Sequence, residues 1–281
     1  MKTVLITGKG SYIGESFKQY ICDNYREEYE VDTVDMLSTA WKEKDFSSYD
    51  AIFHVAGIAH IKETKENAEN YYKVNRDLTL EVAKKAKAYG VGQFVFLSSM
   101  SVYGLIEGEI TADTPIKPNT HYGKSKYEAE KILETLADSD FSVTIIRPPM
   151  VYGKGCKGNF NTVVKLVKKL PVFPKLKNRR SMIYIDNLSE FVKLIMDKKL
   201  SGVYCPQNSE YMSTSDMAMD IATVLGKKIY FSRLLGLLVI LIKPFVSIAK
   251  RAFGNLIYKI NDDYDFSFCK VGNEDSVKKS V

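Results

Sequence analysis

The sequence has few of the residues that build metal sites and disulfide frameworks, with four cysteines and three histidines in 281 residues. The cysteines lie far apart, form no CxxC pair and have no histidine at ligand spacing: Cys22, Cys156, Cys205 and Cys269. This spacing excludes a disulfide scaffold and is typical of reduced cysteines in the cytoplasm. The sequence therefore predicts a cytoplasmic chain that holds no metal ion.

A hydrophobic run long enough to cross a membrane is also lacking. The apolar run at 3–7 is too short for a signal peptide and has no cleavage-site character. A second run, LLGLLVILI at 234–242, falls short of the roughly 18–20 apolar residues that a span needs, and Lys243-Pro244 follows it. We expect a buried or groove-lining helix there, although the basic flank of 234–253 is compatible with weak contact with a membrane surface.

A strong charge surplus is absent as well. The chain carries 40 Lys+Arg against 34 Asp+Glu, a net charge of +6, and it has no dense basic run with interleaved aromatic residues. This excludes nucleic acid as a partner and favours anionic small molecules. With 45 % hydrophobic and 26 % charged residues, the composition also excludes a disordered chain.

Short apolar runs alternate with longer helical patterns over the first 150 residues. The candidate strands are 3–7, 31–35, 50–56, 93–98 and 142–147, and the candidate helices are 13–25, 66–89 and 121–137. Such alternation predicts an α/β fold with a doubly wound parallel sheet of the Rossmann type. We assign residues 1–150 to a dinucleotide-binding domain and 151–281 to a smaller C-terminal substrate-binding lobe, interleaved with the first domain at its edges. Shorter elements are expected in that lobe: strands near 181–185 and 202–205, and helices near 187–198 and 213–225.

A glycine-rich turn follows the first strand and opens a helix. Its cofactor-binding candidates are Gly8, Gly10, Ser11, Tyr12, Ile13 and Gly14. Glycines in such a turn allow the backbone to approach a pyrophosphate, and the helix N-terminus offers N–H groups to it. Asp35 ends the second strand 21 residues after Gly14, where a carboxylate binds ribose hydroxyls and repels a 2′-phosphate. The pair of signals predicts NAD as the cofactor, rather than NADP.

Tyr122 and Lys126 are spaced by one helical turn, so they share a face about 6 Å apart. A tyrosine base at neutral pH needs its pKa lowered from about 10, and a lysine ammonium together with an oxidised nicotinamide can do this. Ser99 follows a central strand, at the edge where doubly wound sheets bind ligands. Its hydroxyl could bond the sugar oxygen that Tyr122 deprotonates.

In combination these motifs resemble the extended short-chain dehydrogenase/reductases, and within them the nucleotide-sugar epimerase/dehydratase branch. The resemblance runs from Lys2 to about Leu225 and includes TGKGSYIG, DAIFHVAG, YYKVNRDLTLEVA, SSMSVYG, YGKSK, RPPMVYG and RRSMIYIDNL. It implies that Ser99, Tyr122 and Lys126 form the catalytic triad.

The resemblance also implies roles for residues that pattern alone does not assign. Asp45 and Phe46 are expected to flank the adenine, and Asn75 to support the nicotinamide region. The remaining cofactor candidates are Val55, Ala56, Gly57 and Pro149, together with Tyr122 and Lys126 of the triad. The implied substrate-binding residues are Ser99, Met150, Asn159, Phe160 and Arg180, the last on the diphosphate, which suits a bidentate guanidinium.

Four departures from the family pattern stand out. Ser11 replaces the middle glycine of the turn, and Met150 replaces an asparagine that precedes Val-Tyr-Gly. The stretch between Asp35 and Asp50 is so short that a helix must be shortened or lost. No RxGD-like segment occurs near the C-terminus, so the family pattern covers the last fifty or so residues poorly.

Three reactions are compatible with a complete triad. Dehydration is disfavoured because Met100-Ser101 stands where 4,6-dehydratases carry an acidic pair. A nucleotide-sugar 4-epimerase acting through a transient 4-keto sugar is preferred, and a nucleotide 4-keto-6-deoxysugar reductase is the alternative. A dinucleotide-sensing protein without turnover is disfavoured because such proteins usually lose the tyrosine or the lysine. The expected partners are a nucleoside-diphosphate sugar, with UDP favoured, and a second copy of the chain in a homodimer.

Overall fold

The computed structural model describes residues 1–59, 61–260 and 265–281. Its strands are β1 (Lys2–Thr7), β2 (Tyr29–Val34), β3 (Ala51–His54), β4 (Gln93–Leu97), β5 (Gly108–Ile110), β6 (Ser142–Ile146), β7 (Met150–Tyr152), β8 (Val172–Pro174), β9 (Met182–Tyr184), β10 (Gly202–Tyr204), β11 (Tyr230–Ser232) and β12 (Leu256–Tyr258). Its α-helices are α1 (Tyr12–Asn24), α2 (Ala68–Tyr72), α3 (Leu78–Ala88), α4 (His121–Leu136), α5 (Asn159–Lys169), α6 (Ile185–Asp197), α7 (Thr214–Val224), α8 (Arg233–Ile242), α9 (Ser247–Phe253) and α10 (Asn273–Ser280).

The chain divides into two compact units. Unit 1 comprises Met1–Gly104, Ile116–Pro148 and Ser189–Pro206, and unit 2 comprises Leu105–Pro115, Pro149–Leu188 and Gln207–Val281. The predicted division at residue 150 differs from this in three segments, because Leu105–Pro115 and Pro149–Met150 fall in unit 2 and Ser189–Pro206 falls in unit 1.

Unit 1 is built on a six-stranded parallel sheet in the order β10-β6-β4-β3-β1-β2. The central strands β3 and β4 are buried along their whole length, as expected for a parallel sheet that helices cover on both faces. Chain order reverses between β1 and β3, so the loops after these two strands flank the switch point at which open α/β sheets bind ligands. The predicted doubly wound α/β fold is confirmed.

Three details of unit 1 differ from, or sharpen, the expectations. The strand expected near 202–205 in the smaller lobe is β10, which pairs with β6 at the edge of the main sheet. The single helix expected over 66–89 is α2 and α3, separated by a π-helical turn at Lys73–Asp77. The connection between β2 and β3 holds one 3-10 turn, Thr39–Lys42, which confirms that a helix is shortened there.

Unit 2 contains three short parallel strand pairs, β11–β8, β12–β5 and β7–β9. Its largest buried side chains are aromatic: Tyr152 and Phe160 stack with ring centroids 5.3 Å apart, and Phe173 packs against Phe231 and Phe253. Within the described residues, no helix combines the length and the apolar character that a membrane span requires.

Candidate active site

The turn between β1 and α1 has the backbone that a pyrophosphate site needs. Gly8 and Gly10 have φ of +121° and +78°, values that side-chain-bearing residues rarely adopt. A Cβ at Gly8 would lie 3.0 Å from the Ala56 nitrogen, whereas a Cβ at Gly10 would meet nothing within 4 Å. The turn therefore packs tightly on its inner side and is open at Gly10, as a ligand that rests on the backbone requires.

Ser11 does not disturb this turn, although glycine stands there in the family pattern. Its φ is −73°, which any residue adopts, and its hydroxyl caps α1 by accepting from Gly14 N–H at 3.2 Å. A Cβ at Gly14 would lie 2.9 Å from the Ile6 side chain, so this glycine lets the helix approach β1. Tyr12 and Ile13 form the first turn of α1 and are half-buried.

A carboxylate that sequence reasoning missed lies at the same turn. Glu15, in the first turn of α1, accepts a 2.7 Å hydrogen bond from the Gly10 N–H. Its side chain is exposed. The signal in the sequence was an acidic residue directly after Gly14. The helix dipole favours a carboxylate at this position, whereas a bound pyrophosphate would repel it because both are negatively charged.

The candidate adenosine-binding residues follow β2. The N–H groups of Gly8 and Lys9 both donate to the Val34 carbonyl, which holds the end of β2 against the glycine turn. Asp35 comes next, is exposed, and accepts a 2.9 Å hydrogen bond from Leu37 N–H. Its position fits the predicted ribose contact.

Asp45 and Phe46 behave differently from each other. Asp45 is exposed and accepts from Ser47 N–H at 2.8 Å, so its carboxylate is accessible. The Phe46 side chain is fully buried in the hydrophobic core of unit 1 and is 6.1 Å from the Tyr89 ring. Only its backbone could therefore reach an adenine.

The segment after β3 adjoins the catalytic helix. Val55 and Ala56 are buried, whereas Gly57 is exposed. A Cβ at Gly57 would lie 3.0 Å from Asn75 Oδ1 and 3.2 Å from Lys126 Nζ. The absent side chain thus leaves open a space that borders the lysine ammonium.

Asn75 is fully buried in the π-helical turn and connects two parts of the site. Its Oδ1 accepts from Ile58 N–H at 2.7 Å, and its Nδ2 donates to the Ile58 carbonyl and to Ser125 Oγ at 3.2 and 3.1 Å. These bonds fix the loop after Gly57 against α4. The resemblance implies that Asn75 supports the nicotinamide region, and this support would act through the loop after Gly57.

Ser99, Tyr122 and Lys126 meet at the carboxyl end of β4. Ser99 follows the strand and its Oγ accepts from Ser101 N–H at 3.1 Å. Tyr122 is the second residue of α4, and its phenol lies close enough to Ser99 for the hydroxyl to lower its pKa. Lys126, one turn later, donates from Nζ to the Leu97 carbonyl at 2.8 Å. The structure thus brings the three predicted catalytic side chains together.

The protein groups around the triad shift its two titratable members in opposite directions. Burial raises the pKa of Tyr122, and the nearby Ser99 hydroxyl lowers it only in part. Burial lowers the pKa of Lys126 to about 7, while Glu130 raises it. The expectation that Lys126 depresses the pKa of Tyr122 is therefore not met by the protein alone. A positive nicotinamide ring would have to supply the rest.

Glu63 orders the first turn of α4, a role that sequence reasoning missed. Its carboxylate accepts from His121 N–H and Tyr122 N–H, each at 3.0 Å. Thr120 Oγ1 caps the next donor, Gly123 N–H, also at 3.0 Å. Three donors of the helix start are satisfied, and the negative charge lies at the positive end of the helix dipole.

A buried ionic network lies behind the triad. Glu130 and Arg147 form an ion pair at 2.6 Å with side chains 0 and 7 % exposed. Ser98 donates to the same glutamate, and Arg147 Nη1 donates to Tyr103 Oη at 3.0 Å. The network joins α4 to the ends of β4 and β6, on which the triad depends.

His54 is a further buried titratable group beside the site. Its Nδ1 is 2.6 Å from Thr7 Oγ1 and its Nε2 is 3.0 Å from Thr79 Oγ1. Burial first, and Lys126 second, lower its pKa to about 3, so it is neutral at physiological pH. Its role is to join β1, β3 and α3.

The other predicted residues belong to unit 2 and are described within it. Pro149 is buried, and Met150 is half-buried in β7 opposite Met182. Asn159 is exposed at the start of α5, whereas Phe160 is 2 % exposed and packs in the core, so only its backbone could touch a ligand.

Arg180 is held at one point of unit 2 by backbone and side-chain contacts. It bridges to Met212 and Leu256, and its Nη1 donates to the Gly254 carbonyl at 3.1 Å. Burial lowers the pKa of Arg180, while Glu107 raises it. A guanidinium fixed in this way is suited to bind an anion.

Comparison with known proteins identifies the family of this chain. Residues 4–204 match the model of the NAD dependent epimerase/dehydratase family. A UDP-glucose 4-epimerase from Vibrio cholerae is 32 % identical over 257 residues, which cover 80 % of this chain and 76 % of the relative. An N-acetyl-α-D-glucosaminyl-diphospho-ditrans,octacis-undecaprenol 4-epimerase from Escherichia coli O157:H7 is 32 % identical over 166 residues, 57 % of this chain and 50 % of the relative.

Among solved structures, UDP-glucuronic acid 4-epimerase from Bacillus cereus, in complex with NAD, superposes with a TM-score of 0.74 at 18 % identity. The match covers 99 % of this chain and 97 % of that one. The chain belongs to the NAD-dependent epimerase/dehydratase family, a branch of the extended short-chain dehydrogenase/reductases. It is accordingly an NAD-dependent enzyme, and its glycine turn, Asp35 and triad fit that cofactor.

Proposed function

We propose that this enzyme interconverts nucleoside-diphosphate sugars that differ in configuration at C4, through a transient 4-keto sugar. The observation that carries the proposal is the complete triad at the carboxyl end of β4, with Lys126 fixed to the Leu97 carbonyl and Tyr122 beside Ser99. The 32 % identity to the Vibrio cholerae UDP-glucose 4-epimerase over most of both chains supports the same reaction and a UDP carrier.

The side chains divide the work of the first half-reaction. Tyr122 Oη accepts the proton of the C4 hydroxyl, and Ser99 Oγ bonds the same oxygen and orients it. Bound NAD⁺ supplies the acceptor for the hydride that leaves C4. The keto sugar then rotates in the site and presents its other face. Tyr122 returns its proton to the C4 oxygen as the hydride adds to C4 from that face, so no net oxidation results.

Lys126 has an electrostatic task in this scheme. Its ammonium is buried and stands against the Leu97 carbonyl, and its pKa of about 7 lets it carry a positive charge when an anion lies nearby. A phenolate at Tyr122 is such an anion, and their mutual attraction favours both charged forms. The buried site strengthens this attraction relative to water.

Arg180 is proposed to bind the diphosphate of the substrate. Its guanidinium is fixed by Gly254 and offers further N–H donors in the fork geometry that phosphate oxygens match. Asn159 is proposed to contact the substrate from the exposed start of α5. Met150 replaces an asparagine of the family pattern and offers no such donor.

The cofactor balance of the purified enzyme is the decisive experiment. Interconversion of UDP-glucose and UDP-galactose with retained NAD and without added cofactor is the expected result. Consumption of added NADH or NADPH in proportion to product would contradict the epimerase and identify the alternative, a 4-keto-sugar reductase. A cofactor that stays bound without any turnover would instead identify a dinucleotide sensor.

Tyr122→Phe tests the site assignment. We expect turnover to fall by about 10²–10⁴-fold, because the base is lost, while NAD stays bound. Tyr127→Phe, on the same helix, is the matched control and should keep normal turnover. Undiminished activity of Tyr122→Phe would refute the assignment.

The exposed apolar helix α8 favours a second candidate substrate, in which the sugar diphosphate is carried on a polyprenol, as the name of the Escherichia coli relative states for that protein. Assays of the same preparation with UDP-N-acetylglucosamine and with its polyprenyl diphosphate counterpart separate the two. Turnover of the lipid-linked sugar alone would assign the second candidate.

A cytoplasmic location, a homodimer and membrane contact through 234–253 also stand as proposals. For the homodimer, the exterior of α4 is the suggested face. A shallow surface depression there is lined by Arg76, Asp77, Tyr127, Glu128, Lys131 and Ile132. Light scattering of wild type against Tyr127→Glu/Ile132→Glu would show a dimer and its loss, whereas a monomeric wild type would contradict it.

A further inference from the structure

Helix α8 of unit 2 and the turn that follows it carry a cluster of exposed apolar side chains, so the expectation of a buried or groove-lining helix over 234–242 is wrong. Among the large apolar side chains exposed in the described chain, nine lie within residues 234–246, with exposed fractions from 36 to 88 %. We call these nine the α8 surface: Leu234, Leu235, Leu237, Leu238, Ile240, Leu241, Ile242, Phe245 and Val246. Single exposed apolar residues are ordinary, but a contiguous cluster marks an interaction site.

Helix α8 is attached to unit 2 through its smallest residue. A Cβ at Gly236 would lie 2.2 Å from the Lys175 carbonyl, so the helix backbone touches the chain just after β8. Lys175 N–H also donates to the Ser232 carbonyl at 2.9 Å, and Ser232 Oγ caps the helix by accepting from Leu235 N–H. The contact side of the helix is therefore narrow, and the leucine and isoleucine side chains of its other sides extend outward.

The dimensions of α8 restrict what could cover it. Ten residues make a helix about 15 Å long, half of what the hydrocarbon core of a bilayer requires. A helix that is apolar on nearly all sides is normally enclosed by protein or lipid. A short one of this kind can lie in the plane of a membrane interface, with its side chains in the upper acyl region.

Two chain segments at the α8 surface carry charged side chains of one sign only. Residues 221–260 carry seven cationic side chains and no Asp or Glu: Lys227, Lys228, Arg233, Lys243, Lys250, Arg251 and Lys259. Residues 157–185 carry eight Lys or Arg and likewise no acid, and their strand β8 pairs with β11 directly before α8.

Acidic side chains from another segment offset part of this charge. Glu107 pairs with Lys243 and lies 3.9 Å from Lys250, and Glu109 lies 3.9 Å from Lys259. Arg233 and Arg251, at the two ends of the helical pair, are exposed. A positive rim therefore remains around the apolar cluster.

We infer that the α8 surface docks on a membrane leaflet that contains anionic phospholipid. The apolar cluster enters the headgroup and acyl boundary, and the surrounding Lys and Arg side chains bind lipid phosphates. This inference does not depend on the proposed sugar reaction, because it rests on exposure and charge in unit 2 alone.

A second copy of this chain fits the α8 surface less well than lipid does. In a two-fold interface the same patch meets itself, so the cationic rim of one copy would face that of the other. No stretch of 221–260 offers a carboxylate to balance it. Anionic headgroups supply the missing counter-charge beside a hydrocarbon phase.

Flotation of the full-length protein with two kinds of vesicle tests the inference. We expect binding to vesicles of phosphatidylcholine with phosphatidylglycerol, weaker binding to phosphatidylcholine alone, and loss of the difference at high salt. Leu237→Gln/Leu241→Gln, one turn apart on α8, should lower the partition coefficient by about tenfold or more. Arg233→Gln/Arg251→Gln should remove most of the preference for the anionic vesicles.

Leu166→Gln/Leu170→Gln is the matched control, since these leucines have the same spacing in unit 2 and are 40 and 37 % exposed. It should bind vesicles as the wild type does. Wild type that remains unbound with anionic vesicles, or a control that binds as weakly as the α8 variant, would overturn the inference. A dimer that dissociates in Leu237→Gln/Leu241→Gln, with no vesicle binding by wild type, would assign the surface to a second copy instead. Turnover of a UDP-sugar, measured in parallel, reports on the reaction separately.

Discussion

The carboxylate of Glu63 accepts a 3.0 Å hydrogen bond from the backbone N–H of Tyr122. The glutamate comes from the segment that follows Gly57, and the tyrosine begins the helix that also carries Lys126. One carboxylate thereby joins the loop beside the predicted cofactor site to the helix of the catalytic pair. The position of the phenol depends on a residue outside the triad.

Glu63→Ala is expected to weaken both the fold and the reaction. Loss of the cap should cost about 0.5–2 kcal/mol of unfolding free energy, because two N–H donors and the helix dipole lose their partner. Displacement of the Tyr122 phenol should lower kcat about tenfold, with KM little changed. Glu63→Gln keeps an acceptor and should recover much of kcat. Denaturant titration and steady-state kinetics measure both quantities.

Glu66→Ala is the control for this prediction, since Glu66 is an exposed carboxylate three residues away. It should leave kcat and stability within error of the wild type. If Glu63→Ala lowered stability without changing kcat, the cap would be structural only, and the link to Tyr122 would be refuted.

Lys126→Met is expected to stabilise the fold near neutral pH while abolishing activity. The pKa of Lys126 is about 7 in the folded protein against about 10.5 when unfolded, so the unfolded state binds the extra proton between these values. The wild type therefore carries the full cost of a buried charge below pH 7 and is relieved of it as the pH rises towards 10.5. The buried charge costs the wild type about 5 kcal/mol at low pH. Removal of the amine relieves this cost but leaves the Leu97 carbonyl without its donor, which takes back about 1–3 kcal/mol of the gain.

The measurement is the difference in unfolding free energy between Lys126→Met and wild type as a function of pH. It should be about 2 kcal/mol or more in favour of the variant at pH 6–7, decline above pH 7 and reverse by pH 10. Lys124→Met, an exposed lysine on the same helix, should show no such trend. A pH-independent difference would show that Lys126 is not a strained buried cation.

The parts of the site that follow from local spacing could be predicted from the sequence. Tyr122 and Lys126 are one turn apart, and Gly8, Gly10 and Gly14 open a helix directly after a strand, so each signal lies within a few neighbouring residues. The sheet followed from runs such as 94–97, which are apolar on both faces. Local patterns of this kind survive folding because they describe a single element.

Contacts between distant segments could not be predicted in this way. Glu63 lies in a polar loop with no pattern that points to Tyr122, and β10 is a three-residue strand whose partner, β6, is far away in the chain. Glu130 did leave a faint signal, four residues after Lys126 on a face that is otherwise apolar. Its partner Arg147 is identified only when the end of β6 is placed beside α4.

Glu130→Gln tests the energetic importance of that buried pair. The substitution leaves the Arg147 guanidinium without its counter-charge in a closed environment, and we expect a loss of about 3–5 kcal/mol of unfolding free energy. Glu134→Gln, which removes the partner of Lys131 from an exposed pair one turn later, should cost less than about 1 kcal/mol. Urea titration of both variants measures the contrast, and equal losses would contradict it.

Glu15→Ala is expected to tighten NAD binding. The Glu15 carboxylate accepts a 2.7 Å hydrogen bond from the Gly10 N–H. A pyrophosphate on this turn would compete for that donor and would be repelled by the negative charge of Glu15. For an exposed group, removal of the charge should lower the Kd for NAD about three- to tenfold, with the largest effect at low ionic strength. Glu15→Gln should show most of the gain, since it removes the charge and keeps the acceptor. Asp23→Asn, at the far end of α1, is the control and should leave the Kd unchanged.

Because an acid in the first turn also favours the helix dipole, Glu15→Ala should cost about 0.3–1 kcal/mol of stability. Weaker NAD binding by Glu15→Ala, measured by calorimetry on cofactor-stripped protein, would mean that this carboxylate orders the turn for the cofactor rather than opposing it.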